Sequence, residues 1–381
     1  MVHAKEQDSS GAHITRRDFL SAVVTITGGV VMFSLPKQSS AEELSTARNS
    51  DFDKTLFMDS LGRSLDIAMP AKSVVPLGIY AQTLMETLYP CAIASLAKEI
   101  SSDADDYIDA GLADIVVLDE TGTPRSNFGK ELDLNQIAAL APDVILQAGI
   151  MRAGVTEEIE RIQSETGIPC VFFDISFGKL QESYRALGRL FGCKERAEEL
   201  VCYIEDAQAR AVDIMECDFP KQKVFYGPRV DGKKVNESVK IQVDVMLQLG
   251  LEPVTSPYNF DGHNVNFVAL ASEDPDFIIL DDISFQSKFL HCEGDVYKLW
   301  NNVRAICDGR FAVAPALMHS ILGSAVFVQS IGMLWIAYAV ASSTQKIDIA
   351  TEMVWFYSLF YGLDRNCKYM ARLVGVDVKD E

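Results

Sequence analysis

Twice in this chain a helical pattern stops at a Pro-Asp pair and an apolar strand pattern starts at the next residue. The first instance is Ile137-Ala138-Ala139-Leu140-Ala141-Pro142-Asp143 running into Val144-Ile145-Leu146. The second is Val268-Ala269-Leu270-Ala271-Ser272-Glu273-Asp274-Pro275-Asp276 running into Phe277-Ile278-Ile279-Leu280. Proline ends the helix, and aspartate suits the tight turn behind it. A short apolar strand entered directly from a helix belongs to a parallel sheet covered by helices on both faces.

The same alternation surrounds both instances. Phe57 to Arg63 reads as two short strands around a turn, and Ser73 to Gly78 as a strand ending in a loop, with a helical pattern from Gln82. Strands follow at Asp114–Leu118, Val144–Leu146 and Cys170–Phe173, and helices at Leu134–Leu140 and Thr156–Thr166. Later, strands are predicted at Lys223–Tyr226, Phe277–Leu280 and Arg310–Val313, with a helix over Gln242–Leu249. Between the two sets, Ala197, Leu200, Val201, Ile204 and Ala207 recur at helical spacing. The reading is therefore α/β: two Rossmann-like lobes with parallel sheets, joined by a long backbone helix, with a cleft between them. The expected divisions are a leader over 1–41, a first lobe over 42–192, the linking helix over 193–217 and a second lobe over 218–345. A helical extension over 346–381 is expected to pack on the second lobe.

The 381 residues suffice for such a core. Their 48% hydrophobic and 23% charged content is that of a globular chain. A net charge of −20 excludes nucleic acid as the natural partner, because phosphate binding needs an excess of Lys and Arg.

The amino terminus reads as an export address. Arg16-Arg17-Asp18-Phe19-Leu20 precedes an apolar run to Leu35, and Ser39-Ser40-Ala41 offers small residues to a signal peptidase. The double arginine resembles the twin-arginine signal, so the twin-arginine export machinery is an expected partner. The run is short for a membrane span, which favours cleavage over an uncleaved anchor. Ala325 to Ala341 is also apolar, but Gln329 and Ser330 interrupt it, so a core helix is expected. None of the eight cysteines forms a C-x-x-C pair, and their pairing stays open. Only His263, His291 and His319 follow the leader, which disfavours a cage for a bare metal ion.

Several segments in order resemble the periplasmic binding proteins for ferric siderophores, haem and cobalamin. They are Asp59-Ser60-Leu61-Gly62-Arg63 with Val74-Val75, the stretch Leu134 to Ile145, and Leu187-Gly188-Arg189-Leu190-Phe191-Gly192. Trp300 to Ile306 with Asp308-Gly309-Arg310-Phe311 completes the series. The resemblance implies an extracytoplasmic, monomeric capture subunit with no intrinsic cofactor. It would bind an iron chelate, a ferric siderophore or haem, with cobalamin or another metal complex or oxyanion as the alternative, and deliver it to an ABC permease and its ATPase. It also implies acidic docking groups, which fall on Glu86 in the first lobe and Asp244 in the second.

Ligands of open α/β sheets sit at the carboxyl ends of strands. That rule nominates Tyr80, then Met151 and Arg152, then Tyr226 and Arg229, then Asp282, and finally Met318 and His319. Arg229 and Arg152 could fork onto an anionic chelate or be solvated surface groups. Tyr80 could stack on a planar ligand, bind iron through its phenolate, or be structural. Met151 and Met318 suit an adaptable apolar wall or a core. His319 is a metal or haem ligand in the minority reading. A chelatase-like enzyme on the same bilobal fold is the rival class, but no catalytic acid–base set or cysteine-held cluster stands out.

Overall fold

The computed structural model describes residues 54–97, 115, 117, 133–216, 221–227, 239–259, 264–281, 298–316, 320–341, 347–363 and 369–371. All of these lie in the unit Phe52–Glu381. The leader with Arg16 and Arg17 falls outside them, as does the strand expected at 114–118 apart from Ile115 and Val117.

A hairpin comes first. β1 (Lys54–Met58) pairs antiparallel with β2 (Ser64–Ala68). Asp59 builds the turn: Oδ1 accepts the Leu61 and Arg63 amides, and Oδ2 takes the Arg63 guanidinium at 2.5 Å. Arg63 also donates to the Cys170 carbonyl oxygen at 2.6 Å, which ties the hairpin to the first sheet.

That sheet contains β3 (Val74–Leu77), β4 (Val144–Gly149) and β5 (Cys170–Asp174), all parallel, in the order β3-β4-β5. Its helices are α1 (Gly78–Leu88), α2 (Leu134–Leu140) and α3 (Val155–Thr166). Strand alternation divides the apolar residues between two cores. Val74, Val144, Leu146, Val171 and Phe173 join the main core. Val75, Leu77, Ile145, Cys170 and Phe172 pack against Ile137, Val155, Ile159 and Ile162 on the other face. Helix α1 starts at Gly78, four residues before the sequence pattern placed it. Gly78 adopts a φ of +83°, so β3 turns into α1 without an intervening loop.

Helices α4 (Leu180–Leu190) and α5 (Lys194–Glu216) follow, and α5 is the long linker expected between the sheets. Beyond it come β6 (Lys223–Gly227), α6 (Val239–Gln248), β7 (Glu252–Pro253) and the small pair β8 (Tyr258–Asn259) and β9 (Asn264–Val265). Then follow α7 (Phe267–Glu273), β10 (Phe277–Leu280), α8 (Arg304–Cys307) and β11 (Phe311–Val313). The second sheet is parallel in the order β11-β10-β6-β7.

The repeat seen in the sequence is repeated in the geometry. Asp133 caps α2 by accepting the Asn135 and Gln136 amides, and Asn266 caps α7 by accepting the Val268 and Ala269 amides. Both helices end on a left-handed residue, Ala141 at φ 46° and Asp274 at φ 47°. The aspartate after each proline then fastens the neighbouring strand. Asp143 Oδ2 accepts the Lys72 and Ser73 amides before β3, and Asp276 Oδ2 accepts the Lys223 amide at the start of β6.

The apolar stretch 325–341 divides into α9 (Ala325–Val328) and α10 (Ile331–Val340), broken at Gln329 and Ser330. Its residues are buried, apart from partly exposed Tyr338 and Ala339 at the end of α10. Among the described residues no helix is long and apolar enough to cross a membrane.

The last described long helix, α11 (Ile349–Tyr361), lies along α5. Tyr203 of α5 meets Trp355 edge-on at 5.2 Å and Phe360 at 5.5 Å. The Arg210 guanidinium pairs with the buried Glu352 carboxylate at 2.6 Å. α11 also touches α1, and Arg196 donates to carbonyl oxygens on both, Thr87 at 3.1 Å and Leu359 at 2.5 Å. The extension expected on the second lobe therefore bears on the first lobe and the linker as well.

Candidate functional site

The two sheets form two lobes, and the carboxyl ends of their strands border the cleft between them. On the first lobe this edge carries Gly78, Ile79 and Tyr80 at the start of α1. Gly149 ends β4 and Ile150 to Arg152 follow it, and Ile175 to Phe177 follow β5. On the second lobe it carries Tyr226 and Gly227, then Asp281, then Ala316 and Ser320. A Cβ at Gly227 would lie 2.9 Å from Leu280 Cδ2, so a larger residue there would push that side chain aside.

Asp281 organises the second lobe's edge. Tyr226 donates its hydroxyl to Asp281 Oδ2 at 2.6 Å, and Ser320 donates its hydroxyl to Oδ1. Tyr258 donates to the Tyr226 carbonyl oxygen at 2.6 Å, which fixes the strand end from behind. Burial, then the Asp281 charge and hydrogen bond, push the Tyr226 phenol well above its ordinary range, so it stays a protonated donor. Tyr80 is half-buried, and its phenol lies near enough to act electrostatically on Tyr226. Each lobe thus places one tyrosine at its strand-end edge.

Three buried or half-buried glutamines join the lobes at its base. Gln329, between α9 and α10, donates its side-chain amide to the Ile175 carbonyl oxygen at 2.8 Å. Gln208 of α5 donates to the Gln329 carbonyl oxygen at 2.9 Å, and Gln181 of α4 donates to Gln208 Oε1 at 3.0 Å. This chain crosses from the first lobe through the linker to the second.

The other nominated residues have varied fates. Met151 is exposed at the first lobe's edge. Arg152 pairs with Glu158 Oε2 at 2.5 Å, and Glu158 Oε1 accepts the Gln147 amide at 2.9 Å. The guanidinium therefore holds its own loop onto α3. Arg229, Asp282, Met318 and His319 lie outside the described residues. Asp281 and Ser320 were not singled out from sequence. The nomination of Asp282 marked the right strand end, and the structure brings the preceding Asp281 carboxylate onto Tyr226.

The docking pair also divides. Glu86, expected on an outer tip, is buried at 5% exposure and accepts the Gln82 amide at 2.8 Å. The reason is that α1 is covered by α9 and α11 as well as by its own lobe. Asp244 stays near the surface on α6, paired with Lys240 one turn earlier at 2.8 Å.

The model of the periplasmic binding protein family matches residues 101–316. Among solved structures, the chain is similar to an ABC transporter solute binding protein from Sulfurospirillum deleyianum. The two are 15% identical over 85% of this chain and 100% of that one, with a TM-score of 0.71. A periplasmic solute binding protein from Veillonella parvula is 19% identical over 84% and 97%, with a TM-score of 0.65. Molybdate-bound MolA from Haemophilus influenzae is 16% identical over 82% and 99%, with a TM-score of 0.60. At these identities the likeness is one of fold. No curated protein matches the chain in sequence.

Proposed function

The chain belongs to the periplasmic binding protein family, and from that membership we propose that it captures an iron chelate, a ferric siderophore or haem, between its lobes. The coarser role comes with the family: an exported solute-binding subunit of an ABC transporter, working with a permease and an ATPase, and not an enzyme.

The observation that supports the ligand reading is a tyrosine at the strand-end edge of each lobe, Tyr80 on the first and Tyr226 on the second. Aromatic rings with polar tips suit a large chelate that presents both apolar faces and hydrogen-bonding groups. Tyr226 is anchored by Asp281, so it can hold a fixed position while a ligand docks. Arg229, Asp282, Met318 and His319, which follow strands β6, β10 and β11 in sequence, are proposed to complete the ligand shell, with Arg229 supplying charge to an anionic chelate. Asp244 is the proposed docking group, and an Asp244→Ala variant that supports normal uptake would remove it from that role. In this reading the leader is a twin-arginine signal and the protein acts as a monomer.

Titration of the intrinsic fluorescence of Trp300, Trp335 and Trp355 tests the ligand class. Candidate probes are ferric hydroxamate and catecholate chelates, haemin, cobalamin and sodium molybdate. Saturable quenching by a ferric chelate or haemin is expected. Binding of cobalamin or molybdate alone would overturn the iron reading while leaving the transporter role intact.

A further inference from the structure

Two cysteines far apart in sequence, both free thiols in the structure, lie on segments that are tied together where α1 ends and α5 begins. Cys91 lies in the short helical turn Pro90–Ala92 that follows α1, and it is exposed. Cys193 directly precedes α5, where its carbonyl oxygen accepts the Ala197 amide, and it is half-buried. Two independent contacts tie the segments together close to these residues. The rings of Tyr89 and Phe191, each two residues before its cysteine, meet at 6.3 Å. The Arg196 guanidinium, three residues after Cys193, donates to the Thr87 carbonyl oxygen, four residues before Cys91, at 3.1 Å.

We propose that Cys91 and Cys193 are joined by a disulfide once the protein is outside the cytoplasm, stapling the end of α1 to the start of the linking helix. Three features support the pairing. Cys91 first, and Cys193 more weakly, raise the Tyr89 phenol above its ordinary range, so both thiols lie in its neighbourhood. Burial pushes the Cys193 thiol up to about 11, and the neighbouring Cys91 adds to the rise. An exported protein also meets the oxidising conditions in which such bonds persist.

The step is thiol–disulfide exchange with a disulfide oxidant. The exposed Cys91 sulfur, as thiolate, attacks the oxidant's S–S bond and releases one oxidant thiol. Cys193 then attacks the mixed disulfide and releases the second. Two electrons and two protons pass from the cysteines to the oxidant, and one S–S bond forms in the protein as one is lost.

Peptide mapping without reductant tests this on the full mature chain, purified reduced and then exposed to oxidised glutathione. A peptide linking Cys91 to Cys193 is expected, with both thiols protected from iodoacetamide. The oxidised protein should melt roughly 5–10 °C above the reduced one, a difference that the Cys91→Ser variant abolishes. Because Cys91 is exposed, that variant should fold. Replacing the exposed Cys202 and Cys307 with Ser should leave the linked peptide in place. Full alkylation of both cysteines after oxidation, or Cys91 linked to a different cysteine, would overturn the proposal.

Discussion

Gln329 of the second lobe donates its side-chain amide to the carbonyl oxygen of Ile175, at the end of the first lobe's last strand, 2.8 Å away. The side chain is fully buried, so water cannot replace the bond. Gln329→Ala would leave the Ile175 oxygen unsatisfied and should cost about 1–3 kcal/mol in urea unfolding. An unchanged midpoint would mean that this bond adds nothing to how the lobes are held together.

The tyrosine pair should separate two effects on binding. Tyr226→Phe removes the hydroxyl that meets Asp281 and should weaken capture roughly ten-fold through a displaced strand end. Tyr80→Phe should be mild if the ring stacks on the ligand and severe if the phenolate touches iron. Fluorescence titration with the bound chelate distinguishes these, and wild-type affinity in Tyr80→Ala would remove that residue from the site.

Arg210→Ala would strand the Glu352 carboxylate, which is 3% exposed. Removing one partner of a buried pair is costly, and since Arg210 retains some solvent contact the loss should be about 2–3 kcal/mol. The double replacement Arg210→Met with Glu352→Leu should recover most of it. Thermal unfolding of the three variants checks both statements.

High pH should unfold the protein through its buried phenols. Burial pushes Tyr184, Tyr203, Tyr226, Tyr258, Tyr357 and Tyr361 above their ordinary value of 10.0. The unfolded chain therefore releases protons from about pH 10 while the folded chain keeps them. Stability is full below that pH and falls as pH rises above it. Absorbance at the phenolate band should show these groups ionising together with loss of structure. Ionisation in the folded state would contradict their burial.

Export supplies a separate check. Replacing Arg16 and Arg17 with Lys should retain the protein in the cytoplasm, as fractionation would show. Normal export of that variant would exclude a twin-arginine leader.

The sheet architecture was legible because its signals are local. A strand such as Val144–Gly149 is apolar over a short stretch and bounded by Pro-Asp, and no tertiary contact is needed to see that. Helix α2 was read to the residue for the same reason, with Asp133 before it and Pro142 after it. The site was less legible because its logic is long-range. Asp281 matters through Tyr226 and Ser320, which reach it from other strand ends. Glu86 shows the converse: an acidic residue on a helix reads as exposed until helices from the far end of the chain cover it.

The carboxylates of Asp143 and Asp276 also bear on how the chain finds its alignment. Sliding one parallel strand by a single residue would turn its inward side chains outward, so an error of register is an error of the whole layer. Asp143 sits one residue before β4 and grips the amides just ahead of β3, and Asp276 sits one residue before β10 and grips the first amide of β6. Each lobe thus carries its own alignment mark at the same corner, independent of the other. The two halves can be checked separately as they form, and the ligand cleft opens between sheets whose strand ends are already level.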